Sequence, residues 1–176
     1  WIENRPFLRA LHGLMIAQRA TYQTAAAIET ARELIGCESG DRMGARFVLP
    51  LYLLEQNRDR EALEVFSFPG FEDTFGPTEY LHALALIRLE RLSEVAKVLQ
   101  PCFRYLPKVA HHLLDPQLPK PRNESPFGVA MGSDYEAWNA AIDQRWVWER
   151  TKGALPILAS EWEVYSKSRP KEAGHG

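Results

Sequence analysis

The chain of 176 residues has little cysteine, only Cys37 and Cys102. Neither has a second thiol nearby, which excludes a disulfide framework and a Cys-x-x-Cys metal site. Both read as free thiols suited to a reducing compartment. No apolar run approaches the roughly 20 residues that span a bilayer, and no charged, apolar and small-residue leader opens the chain. A soluble cytoplasmic protein is expected. Charge of one sign is also missing: 21 Lys and Arg stand against 23 Asp and Glu, a net of −2, so there is no basic footprint for nucleic acid. There is no Ser-His-Asp order, no nucleophile elbow and no phosphate-cradling glycine loop, since Gly40, Gly44 and Gly70 stand alone. Neither a catalytic residue, a metal nor a cofactor is expected, and the chain is not read as an enzyme. It opens on Trp1 rather than Met, which reads as an excerpt or a processed product.

What is present is helical periodicity. Arg42 to Glu55 carries a long apolar run, Gln56 to Asp59 a polar turn with Asn57 as break and Asp59 as cap, and Arg60 to Phe66 a second helix opened by Ala62. This is one helical hairpin. A preceding hairpin spans about 5–36: Phe7, Leu8, Leu11, Leu14 and Met15 form the inward stripe of its first helix, with Asn4 as cap and Pro6 at the first position. Gly13, inside that helix, predicts the close approach of a neighbour. Pro50 predicts a bend in the central apolar helix. A third hairpin spans about 78–106, capped by Thr78, with Ser93 before its second helix. Ala27, Ala62 and Ala96 recur at about the 34-residue period of tetratricopeptide repeats. Single hairpins cannot bury their apolar faces, but three in series can.

From Pro107 the texture changes. Five prolines between Pro107 and Pro126 predict an arm over 107–132, with one short helix at Lys108 to Leu114. Leu118, Phe127, Val129 and Met131 predict that the arm lies against helices, with Phe127 as anchor. Gly132-Ser133-Asp134 caps a closing hairpin over 133–165, whose faces are read as Tyr135, Trp138, Ile142 and Trp146, then Leu155, Leu158, Trp162 and Tyr165. Trp148 lies off that stripe. The domain is read as 1–166, followed by a tail over 167–176. The fold class is all-α, a tetratricopeptide-like superhelix of three hairpins, arm and closing hairpin.

Three strings carry a resemblance: Glu3 to Leu14, Asp41 to Arg46 before the helix with Pro50, and Gly132 to Ala137 with a later tryptophan. Together the chain resembles a tetratricopeptide-like family similar to the suppression-of-tumorigenicity protein, with bacterial, algal and fungal members. The resemblance implies an all-helical superhelix and no known catalytic residues.

Candidate site residues form two basic rows. Arg5, Arg9 and His12 share a face of the first helix, and Arg42 and Arg46 share one in the second hairpin. Lining a concave surface, they would meet an acidic segment or a terminal carboxylate; otherwise they pair internally with Glu3, Asp41 or Glu55. Cys102, His111, His112 and Asp115 are the one metal-capable cluster in the sequence, without paired ligand spacing. Glu61, Glu64, Glu79, Glu90 and Glu94 read as solvated helix formers. The expected function is a protein or peptide interaction scaffold, with self-association as a further partner and no membrane or nucleic acid. The alternatives are an accessory domain of a larger enzyme and a weak RNA-binding helical repeat.

Overall fold

The computed structural model describes residues 4–37, 40–41, 43–68, 76–123, 125 and 128–168. Among these the chain is all-helical, as expected, and it divides into two compact units, Trp1–Leu89 and Glu90–Gly176.

The first unit contains α1 (Arg5–Ala20), α2 (Thr24–Cys37), α3 (Ala45–Glu55), α4 (Asp59–Val65) and α5 (Glu79–Arg88). Each packs on the next in sequence, and α3 also meets α5. The sequence dictates which helix is central. Leu49, Leu51, Leu53 and Leu54 leave α3 no polar stripe; all are buried, together with Tyr52 and Pro50. A helix apolar all round belongs inside, and each of these large side chains contributes about 1.5–3 kcal/mol by leaving water. By contrast, α1 buries only Leu8, Leu11 and Met15, at i, i+3 and i+7. Phe7 and Leu14, read above as part of that stripe, are exposed instead.

Polar ties join alternate helices. Arg19 of α1 donates to Glu55 at the end of α3 at 2.9 Å and lies 5.3 Å from the Tyr52 ring centroid. Thr78 does not cap α5 with its side chain; its hydroxyl donates to the Phe47 carbonyl at 3.1 Å and ties α5 to α3. Arg88 donates to the Leu54 carbonyl at 2.8 Å. On the other layer Arg32 of α2 pairs with Glu61 of α4.

Three interhelical turns share a backbone device. Tyr22, Asn57 and Glu90 have φ of 61°, 57° and 58°, each shortly before the start of α2, α4 or the next helix, α6 (Leu92–Tyr105). They recur at about the length of one tetratricopeptide unit. Counted from these turns, the equivalent of Ala27 and Ala62 is Val95, which is buried, rather than the half-buried Ala96. After two of the turns the N-cap is an arginine holding the N3 glutamate with two hydrogen bonds: Arg58 to Glu61, both 2.7 Å, and Arg91 to Glu94, both 2.6 Å.

The second unit contains α6, α7 (Pro107–Leu114), α8 (Asp134–Arg150) and α9 (Ala154–Ser168). Val95, Leu99, Cys102 and Phe103 make the inward stripe of α6. Helix α7 packs on α8, α9 and α6, and α9 also meets α6 and α8. Within the expected Gly132 to Asp134 cap the capping side chain is Ser133, accepting from the Glu136 N–H at 3.1 Å, while the Glu136 carboxylate accepts from the Gly132 N–H at 2.6 Å. The buried face of α8 is Ala137, Ala141, Gln144, Val147 and Trp148, not the Tyr135, Trp138, Ile142 and Trp146 stripe. Small residues win this face because Ala137 and Ala141 let α7 come close, and the indole of Trp148 then fills the space further along. On α9 the expected face is kept: Leu158 is buried, and Trp162 and Tyr165 bracket Phe103 at 5.1 and 5.5 Å between ring centroids.

The arm holds on differently from its expectation. Leu118, Val129 and Met131 are exposed, and Phe127 lies outside the described residues. The tie is electrostatic: the Lys120 ammonium sits 5.4 and 4.6 Å from the ring centroids of Tyr135 and Trp138. Asn123 adds local order, accepting from the Ser125 N–H at 3.2 Å and donating to the Gly128 carbonyl at 2.9 Å.

Candidate interaction surface

The two basic rows meet different fates. On α1, Arg5 and Arg9 are exposed and His12 is half-buried. Arg42 lies outside the described residues. Arg46 is buried, its side chain only 9% exposed, with Nε 3.1 Å from an Asp41 oxygen. The expectation that Arg46 faces a ligand is therefore corrected: it is consumed in the fold.

The geometry behind this begins with two left-handed residues, Asp41 at φ 41° and Gly44 at φ 73°. They fold the entering chain back so that the Asp41 carboxylate meets the first turn of α3. One oxygen accepts from the Ala45 N–H and the other from the Arg46 N–H, both at 2.8 Å. The second oxygen also accepts from Arg46 Nε. A carboxylate at a helix N-terminus satisfies donors that have no intrahelical partner and sits at the favourable end of the dipole. Arg46 neutralises that charge away from water. The conspicuous Asp41 to Arg46 string is thus a helix-entry device.

The glutamates are likewise engaged structurally. Glu61 receives hydrogen bonds from Arg58 and then Arg32, which hold its carboxyl at about 2, well below its ordinary 4.5. Glu79 lies 3.3 Å from His82, Glu94 pairs with Arg91, and Glu64 and Glu90 are exposed. The cysteine and histidine cluster does not assemble: among the described residues no group of three His, Cys, Asp or Glu is placed to hold a metal ion. Cys102 is buried and its thiol points at the Val98 carbonyl at 3.1 Å. His111 packs edge-on to Trp162. His112 is buried, and that burial, reinforced by His111 and Arg145, pushes its imidazole down; its carbonyl accepts from Arg145 at 2.6 Å.

Among the described residues, open surfaces include one in each unit. In the second unit a groove of about 550 Å³ runs between α6 and α9, lined by Pro101, Arg104, Tyr105, Glu161, Val164 and Tyr165. In the first unit α1 presents Phe7 and Leu14, 52% and 49% exposed. Reading the stripe as one apolar set hid this second face; the recurrence of Phe7, Ala10, Leu14 and Ala17 at i, i+3, i+7 and i+10 was its signal. Among the described residues no helix is long and apolar enough to cross a membrane. No family model, no curated protein and no solved structure matches the chain.

Proposed function

We propose that the chain is a helical-repeat interaction module that binds a protein or peptide, a tetratricopeptide-like superhelix of the family it resembles. The observation that carries this reading is the recurrence of the left-handed turn at Tyr22, Asn57 and Glu90, always just ahead of a helix and at a near-constant interval along the chain. An interval of about 34 residues is what stacked helical hairpins need, because each unit buries its apolar face only against the next. The ties between alternate helices in the first unit, Arg19 to Glu55 and Arg32 to Glu61, support the same reading. In such a stack the first helices line one surface, and Arg5, Arg9 and His12 of α1 would line it here. The function is binding without catalysis, in the cytoplasm, where the two free thiols Cys37 and Cys102 stay reduced.

Panning a phage-displayed peptide library on the immobilised chain tests this. The expected result is enrichment of a shared motif whose synthetic peptide binds with micromolar affinity and keeps binding in moderate salt. Failure to enrich any motif over a scrambled control refutes the reading. Binding to mixed-sequence RNA that falls steeply with salt would assign the basic residues to phosphates instead.

A further inference from the structure

We infer that Tyr135 and Trp138 form a binding site for a methylated lysine of a partner protein, and that Lys120 of the arm is its internal occupant. The inference rests on the reading of the chain as an interaction module and names a group on the partner. The two aromatics lie three residues apart near the start of α8, so they share one side of the helix. Their rings stack at 5.9 Å between centroids with 29° between planes. Both stay half-buried while Ala137 and Ala141 take the inward face. The Lys120 ammonium lies 4.6 Å from the Trp138 centroid and 5.4 Å from that of Tyr135. Two ring faces turned on one cation are the arrangement that recognises alkylammonium groups.

What surrounds the rings selects among such groups. Among the described residues no carboxylate pairs with Lys120: Asp134 is engaged by Lys108, and Glu136 accepts from the Gly132 N–H. An unmodified ammonium brings three N–H donors and a tight hydration shell, and the rings give those donors no oxygen to bond. A trimethylammonium keeps the charge, has no N–H to satisfy and covers more of both faces. Lys120 sets the threshold for entry. It follows Leu114, the end of α7, by six residues, which holds it at an effective concentration on the order of mM. An unmodified lysine from another chain meets a site already filled by its equal, whereas a methylated one displaces it. The arm is built to yield. Among the described residues the hydrogen bonds of 116–123 stay within it, from the Gln117 and Leu118 N–H groups to Asp115 and between Asn123 and both Ser125 and Gly128. Just past Lys120 the arm stands off the start of α8 across a cavity of about 330 Å³ lined by Pro121, Arg122, Ala130 and Asp134.

The test titrates the full chain into a fluorescein-labelled peptide with one trimethyl-lysine among glycines and serines, read by anisotropy. Matched peptides carry unmodified lysine, or the neutral analogue with carbon in place of the ammonium nitrogen. The expected result is binding of the trimethyl-lysine peptide on the order of 100 μM, about tenfold or more tighter than either matched peptide. Lys120→Gln removes the internal occupant and tightens the trimethyl-lysine peptide about threefold or more. Trp138→Leu and Tyr135→Leu each weaken it about tenfold with unchanged circular dichroism, since both side chains are half-buried. Equal binding of the three peptides, no binding, or the same affinity in Lys120→Gln as in the parent chain overturns the inference. Free choline that binds as tightly as the peptide also overturns it and assigns the rings to a small quaternary amine. A motif selected by panning that binds while the trimethyl-lysine peptide does not leaves the interaction module standing and removes only this site.

Discussion

Replacing Asp41 with Asn should cost the first unit about 3 kcal/mol, and the reason lies in three donors. The Asp41 side chain is 2% exposed, and its oxygens take the Ala45 N–H, the Arg46 N–H and Arg46 Nε at 2.8, 2.8 and 3.1 Å. Asparagine keeps the shape and tolerates the φ of 41°, yet it offers one acceptor oxygen. With that oxygen turned to the two Arg46 donors, the Ala45 N–H loses its acceptor, about 1.5 kcal/mol or more, and the buried guanidinium loses the charge that neutralises it, which brings the total to the lower end of the about 3–5 kcal/mol for a broken buried pair. Arg46→Met should cost less, about 1–2 kcal/mol, because the carboxylate keeps both backbone donors and the helix dipole. The double variant loses mainly the cap, about 1–2 kcal/mol, so a coupling of roughly 2 kcal/mol or more remains in the cycle. Urea unfolding followed by far-ultraviolet circular dichroism measures this. At a slope of about 2 kcal/mol/M the Asp41→Asn midpoint falls by about 1.5 M. A loss under about 1 kcal/mol, or a double variant as unstable as the two singles combined, refutes the account.

Four further outcomes follow from single contacts. Lys120→Gln removes the ammonium from the Tyr135 and Trp138 rings and should speed chymotryptic cleavage within 115–133 about two- to fivefold, while Lys120→Arg does not. Glu61→Gln should narrow the pH dependence of stability. The folded carboxyl sits at about 2 rather than 4.5, so its contribution is full above pH 4.5 and fades as pH falls towards 2, and the two chains converge in thermal melts near pH 2. With the Glu61 side chain 37% exposed, the gap at neutral pH stays under about 1 kcal/mol. Gly13→Ala should raise stability by about 1 kcal/mol, read as a melting point about 2–4 °C higher, because the added methyl meets nothing within 4 Å; a lowered melting point would show that another helix already sits against it. Tyr22→Asn should stabilise by roughly 0.5–1 kcal/mol in urea melts, since Tyr22 is 96% exposed and held at φ 61°, a conformation asparagine adopts more readily.

The second hairpin shows how far the pattern of residues reaches. Its helices, read as Arg42 to Glu55 and Arg60 to Phe66, are Ala45–Glu55 and Asp59–Val65, because an uninterrupted apolar run and a polar turn are local signals that no tertiary contact reverses. The cap at Gly132 to Asp134 was legible for the same reason: the Ser133 hydroxyl and the Glu136 carboxylate close a box within a few residues. Faces were less legible than elements. On α8 the largest apolar residues drew the predicted stripe to Tyr135 and Trp138, but depth depends on how near α7 comes, and alanine at 137 and 141 decides that. On α1 Phe7 and Leu14 flank the buried stripe closely enough to be counted with it.

Arg46 and the turns at Tyr22 and Glu90 were illegible for a deeper reason. A helical wheel places Arg46 beside Arg42, but its direction follows from the left-handed Asp41 and Gly44, which deliver a carboxylate to its guanidinium. Left-handed backbone is announced in sequence by glycine and asparagine; of Tyr22, Asn57 and Glu90 only Asn57 carries that signal. At the other two positions the flanking helices impose the conformation, and the residue bears a strain its chemistry gives no hint of. Turns of this kind are therefore faint in sequence and plain in the dihedral angles. That is consistent with a chain whose apolar periodicity is evident while the interval between its turns is not quite constant, the step from Tyr22 to Asn57 being slightly longer than the step from Asn57 to Glu90.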